Sequence, residues 1–91
     1  MVRLPLWSAV IPTYGSAGRD LTVNALRSLQ HSTEHNEIIV VDDGSDHGVQ
    51  ERLAKDCSQF DARFIALDEN GGFARAVNAG IEKTNGRVVT L

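Results

Sequence analysis

The chain reads as an α/β protein of three layers, α/β/α, built on a mostly parallel sheet of about four strands. Two observations predict this. Short apolar runs alternate with helical segments of about a dozen residues, which implies right-handed crossovers between parallel strands. The run Ile38 to Val41 (IIVV) is apolar and β-branched throughout, a pattern suited to a central strand covered on both faces.

Taken in order, Trp7 to Ile11 (WSAVI) predicts the first strand, stopped by Pro12, which has no N–H to give a ladder. Residues 13–19 are loop. Asp20 then caps a helix with Leu21, Ala25, Leu26 and Leu29 on one face, fading near His31 and Ser32. Ile38 to Val41 is the second strand. Past an Asp-Gly-Ser-Asp turn, Ser45 or Asp46 caps a second helix with Val49, Leu53, Ala54 and Cys57 on its apolar side. Arg63 to Leu67 is the third strand. Asn70, Gly71 and Gly72 open a third helix whose Phe73, Val77 and Ile81 fall four apart, with Asn85 and Gly86 as a left-handed stop. Arg87 to Leu91 is the fourth strand.

Ninety-one residues suit a single domain, residues 1–91. A net charge of -3 with scattered Arg and Lys argues against nucleic acid as a partner, since phosphate binding shows as a basic patch. Cys57 is the only cysteine, which precludes an internal disulfide and fits a reducing compartment. Residues 1–8 (MVRLPLWS) reach Pro12 too soon for a signal-peptide core, and no apolar run approaches the ~20 residues of a membrane span. The expected location is cytoplasmic. His31, His35 and His47 lack zinc-ligand spacing, and Ser45 lacks a nucleophile elbow.

Ligands of parallel sheets bind outside the carboxyl ends of the strands, which selects the loops 12–19, 42–47 and 68–73. Asp42 and Asp43 end the second strand. Their side chains must point to opposite faces, so they do not chelate one ion together. Two readings of the pair stand: one carboxylate accepts hydrogen bonds from a ligand while the other closes the turn, or both serve only the turn. Asn70, Gly71 and Gly72 before a helix offer N–H groups to an anion, or make an ordinary glycine turn. Arg75 in the first turn of that helix is unfavourable for the dipole unless an anion sits nearby. Asn78 lies one turn further on the same face, in reach of a ligand or of solvent. Gly80 inside the helix implies close packing on the sheet.

In order, "VIPTYG", "EIIVVDDGSD", "NGGFARAVNAGI" and "NGRVVTL" resemble the amino-terminal half of the family 2 inverting glycosyltransferases, and the Asn-Gly-Gly-Phe form looks most like the rhamnosyltransferase-like bacterial branch. The resemblance implies the Rossmann-like half of a GT-A fold with strand order 3-2-1-4. It implies that Pro12, Thr13 and Tyr14 border the nucleotide, that Asp42 contacts the base with Asp43 as a second contact, and that Asn70, Gly71, Gly72, Arg75 and Asn78 serve the diphosphate. The implied ligand is a UDP-, dTDP- or GDP-sugar, and the complete enzyme is expected to use Mg or Mn. The family's Asp-x-Asp-like metal motif and its catalytic base are missing from these residues, so the chain is expected to hold the donor and to be inactive alone. Two other classes compete: a receiver-like signalling domain phosphorylated at the acidic pair, and a non-catalytic module self-associating through the sheet edge at Arg87 to Leu91.

Overall fold

A computed structural model describes residues 7–30, 36–84 and 87–90. The elements are β1 (Trp7–Thr13), α1 (Gly15–Leu29), β2 (Asn36–Asp42), α2 (His47–Gln59), β3 (Arg63–Ala66), α3 (Phe73–Ile81) and β4 (Arg87–Thr90). The strands pair in parallel in the order β3-β2-β1-β4. The chain steps outward from β1 to β3 and then returns across the sheet to β4. Because right-handed crossovers put their helices on opposite faces when the direction of travel reverses, α1 and α2 share one face and α3 takes the other.

Strand alternation divides the core accordingly. Ile11 and Val40 pack with Leu26, Val49, Leu53 and Cys57 beneath α1 and α2. Val10, Ile39 and Val41 pack with Ala76 beneath α3. Leu26, Ile39 and Leu53 are fully buried, each contributing about 1.5–3 kcal/mol.

Several element boundaries differ from the sequence expectation for identifiable reasons. β1 continues through Pro12 to Thr13. The Thr13 carbonyl accepts from the Asp43 N–H, so in the pleat the adjacent Pro12 nitrogen faces away from β2, and the β1–β2 ladder loses no bond to it. Helix α1 begins at Gly15 rather than behind an Asp20 cap. Its N-cap, Tyr14, makes no side-chain cap bond, and Gly15 adopts φ 74. The Gly15 N–H instead donates to Oγ of Ser45 in another loop, at 2.8 Å.

Two helix faces are also corrected. In α1 the buried residues are Thr22 and Leu26, and Leu21 is 71% exposed. In α3 the sheet-facing residues are Ala76 and Gly80, while Phe73 and Ile81 are exposed. A Cβ at Gly80 would strike the Val10 side chain, so the helix backbone lies directly on β1 and only small residues fit there. In α2, Asp46 is the cap, accepting the Val49 N–H at 3.0 Å, and Ala54 is exposed. The expected ends at His31 and Ser32, the stop at Asn85 and Gly86, and Leu91 lie outside the described residues.

Candidate functional site

The three selected loops are stitched together by the acidic pair. Asp42 points toward α2 and is 0% exposed. It accepts the Ser45 hydroxyl at 2.6 Å, the Ser45 N–H at 2.8 Å and Nε2 of Gln50 at 2.9 Å. Gln50 Nε2 also donates to the Leu67 carbonyl at 3.2 Å, which ties in the end of β3. Asp43 points to the α3 side and accepts the Gly71 and Gly72 N–H groups, one on each carboxylate oxygen, both at 2.9 Å. Its negative charge thus sits at the start of α3, where the helix dipole favours it.

Gly44 turns the chain between these loops at φ +79, and a Cβ there would fall on the backbone of Glu69 and Asn70. Only glycine meets both requirements.

Between β1, the acidic turn and α3 lies a cleft of about 190 Å³ lined by Pro12, Thr13, Tyr14, Asp43, Phe73 and Ala76. It opens at the carboxyl ends of the strands, where the strand order turns back from β1 to β4, the place such sheets bind ligands. Tyr14 is 55% exposed and Phe73 67% exposed, so two aromatic rings stand on its rim above a nearly buried carboxylate. Each Asp43 oxygen has accepted one N–H and retains capacity for another donor. On the other side of Tyr14 a hollow of about 320 Å³ runs along α1 to Leu21.

Of the residues singled out in the sequence, the structure brings Pro12, Thr13, Tyr14 and Asp43 together. Asp42 is corrected: buried and triply hydrogen-bonded, it faces α2 and has no access to the cleft, so the carboxylate that lines it is Asp43. Gly71 and Gly72 turn their N–H groups to Asp43 rather than outward. Arg75 is exposed, donates from Nη1 to the Glu69 carbonyl at 2.9 Å and lies over Gly71. Asn70 and Asn78 are exposed. Phe73 and Ala76 went unread as site residues, because helical spacing assigned Phe73 to the core.

The described residues do not fit a metal centre. The two carboxylates face opposite sides of the sheet with every oxygen already accepting a hydrogen bond, and among the described residues no group of three or more His, Cys, Asp or Glu could hold an ion. Among the same residues no helix is long and apolar enough to cross a membrane.

Fold and cleft together define a Rossmann-like α/β unit with an open cleft at its topological switch point. The chain belongs to glycosyl transferase family 2, whose model matches residues 8–91. It is 33% identical over 90 residues to glycosyltransferase AglE of Haloferax volcanii, covering 97% of this chain and 30% of AglE. It is 36% identical over 90 residues to TuaG of Bacillus subtilis, a protein named for teichuronic acid biosynthesis, covering 96% of this chain and 34% of TuaG. The chain therefore spans about a third of the length of these relatives. In structure it resembles S. aureus TarS (residues 1-349) with a TM-score of 0.73 at 23% identity, covering 93% of this chain and 26% of that one. It also resembles the mannosyltransferase PcManGT of Pyrobaculum calidifontis, solved with GDP-Man and Mn2+, with a TM-score of 0.64 at 22% identity, covering 91% of this chain and 25% of that one.

Proposed function

We propose that this chain, residues 1–91, is the donor-nucleotide-binding part of a glycosyltransferase that passes a sugar from a nucleotide-diphospho-sugar to an acceptor hydroxyl in polysaccharide or cell-surface glycan synthesis. The observation that carries this reading is the cleft itself: Tyr14 and Phe73 on the rim, Asp43 in the wall. A flat heterocycle between two aromatic faces gains stacking, and its imino N–H finds the spare acceptor capacity of Asp43. A UDP-, dTDP- or GDP-sugar meets these requirements. The name of TuaG supports the polysaccharide setting, and the GDP-Man held by PcManGT supports a nucleotide-sugar donor.

On this reading the diphosphate lies on the exposed side of α3, away from the Asp43 carboxylate that occupies the Gly71 and Gly72 N–H groups. There the exposed Arg75, held among the described residues by a main-chain carbonyl, exchanges that partner for a stronger charge-assisted one. Asn70 and Asn78 flank it. A Mg or Mn ion in the whole enzyme would supply charge stabilisation for the leaving diphosphate, and a general base would deprotonate the acceptor hydroxyl; no group of the described residues would hold the ion, and this unit is inactive alone. The setting is cytoplasmic.

Calorimetric titration with UDP-, dTDP- and GDP-sugars, with and without Mn²⁺ or Mg²⁺, tests the reading. One base is expected to bind, and Tyr14→Ala or Asp43→Asn to weaken it about tenfold, the equivalent of ~1.4 kcal/mol. Failure of all three donors to bind at millimolar concentration overturns it.

A further inference from the structure

Tyr14 is exposed and belongs to a loop with no side-chain cap of its own, yet it borders both the cleft and the hollow beside α1. What holds it is the next residue. Gly15, in its left-handed conformation, donates its N–H to Oγ of Ser45, and that hydroxyl gives its own proton to Asp42, so the oxygen acts as acceptor and donor in series. Asp42 in turn is anchored by the Ser45 N–H and by Gln50.

We infer that Ser45 is a positioning residue for the cleft: through the Gly15 N–H it sets the direction of Tyr14 on the rim, and so controls ligand affinity without touching the ligand. The affinity part rests on the nucleotide reading above; the positioning part does not. Ser45→Ala is informative because the residue's own N–H bond to Asp42 remains, leaving the turn anchored while the bridge to Gly15 is cut. Ser45→Thr keeps the bridging hydroxyl.

Tyr14 is the only tyrosine in the chain, so 3-fluorotyrosine labelling yields one ¹⁹F resonance that reports on it alone. Ser45→Ala is expected to shift or broaden that resonance, Ser45→Thr to restore it, and Val49→Ala, which loosens the core beneath α2 and leaves the bridge intact, to leave it in place. Titration with UDP, dTDP and GDP is expected to show about fivefold to tenfold weaker binding for Ser45→Ala and recovery in Ser45→Thr, the loss of one well-placed hydrogen bond. An unmoved resonance in Ser45→Ala, or one moved equally by Val49→Ala, overturns the inference. A resonance that moves in a protein binding none of the three nucleotides upholds the positioning role and rejects the nucleotide reading.

Discussion

Cys57 is buried on the inner face of α2, and burial first, with the neighbouring Asp56 second, pushes its thiol up from 9.0 to about 12. The folded chain therefore keeps this proton where the unfolded chain releases it. Stability carried by the neutral thiol is complete below pH ~9 and is lost as pH rises toward 12. Urea midpoints are expected to fall across that window, less so in Cys57→Ala, and alkylation at pH 8 to follow the unfolding curve rather than precede it. Gly80 carries a second expectation at this scale. Alanine there gains about 1 kcal/mol of helix propensity but strikes Val10, and overpacking costs about 1–3 kcal/mol. Gly80→Ala is expected to lower the denaturation midpoint. Residue-level chemistry was partly legible beforehand. Alternation along β2 correctly sent Asp42 and Asp43 to opposite faces, but which of them met the cleft depended on where α2 and α3 dock, information that no local pattern holds.

The elements follow the same division between local and distant causes. β2 and the start of α2 were readable because their determinants are contiguous: four β-branched residues, then an aspartate whose side chain caps its own helix. The start of α1 was not, since the hydroxyl that receives its first N–H comes from Ser45, thirty positions away. The face of α3 was misjudged because spacing alone favours large apolar residues, whereas a helix backbone resting on the sheet admits only Ala76 and Gly80. The Arg19–Asp56 pair joining α1 to α2, with Nε to Oδ2 at 2.9 Å, had no signal either, because the relative register of two helices is a tertiary fact. It also holds the Arg19 guanidinium, by hydrogen bond and then by charge, above its ordinary pKa. At the far end of α2 the chain leaves through Asp61 at φ 56, with the Ala62 N–H bonded to the Cys57 carbonyl at 2.8 Å. Glycine is the residue this left-handed exit prefers, so Asp61→Gly is expected to stabilise the fold by about 0.5–1 kcal/mol, read from thermal or urea unfolding.

Across the whole molecule, the sheet supplies the rigid frame and the three loops at its carboxyl end supply the site, fastened to one another at Thr13, Asp42, Asp43 and Leu67. A ligand that binds this folded arrangement and not the unfolded chain raises global stability by about 2.7 kcal/mol at a hundred times its dissociation constant. Melting in the presence of the donor nucleotide is expected to show that rise, and Asp43→Asn to lose most of it at the same ligand concentration. The alternation of strands and helices was the most legible feature at this scale, because each crossover repeats the same physical rule. The lone carboxylate in the cleft wall has one more consequence, for the polarity of whatever enters. A nucleoside diphosphate has neutral N–H donors at one end and two or more negative charges at the other. Like charges 4 Å apart in a site of effective dielectric 20 repel by about 4 kcal/mol. On the nucleotide reading proposed above, Asp43 favours the heterocycle's N–H donors beside it and keeps the diphosphate away from the carboxylate, on the exposed side of α3 where Arg75 stands.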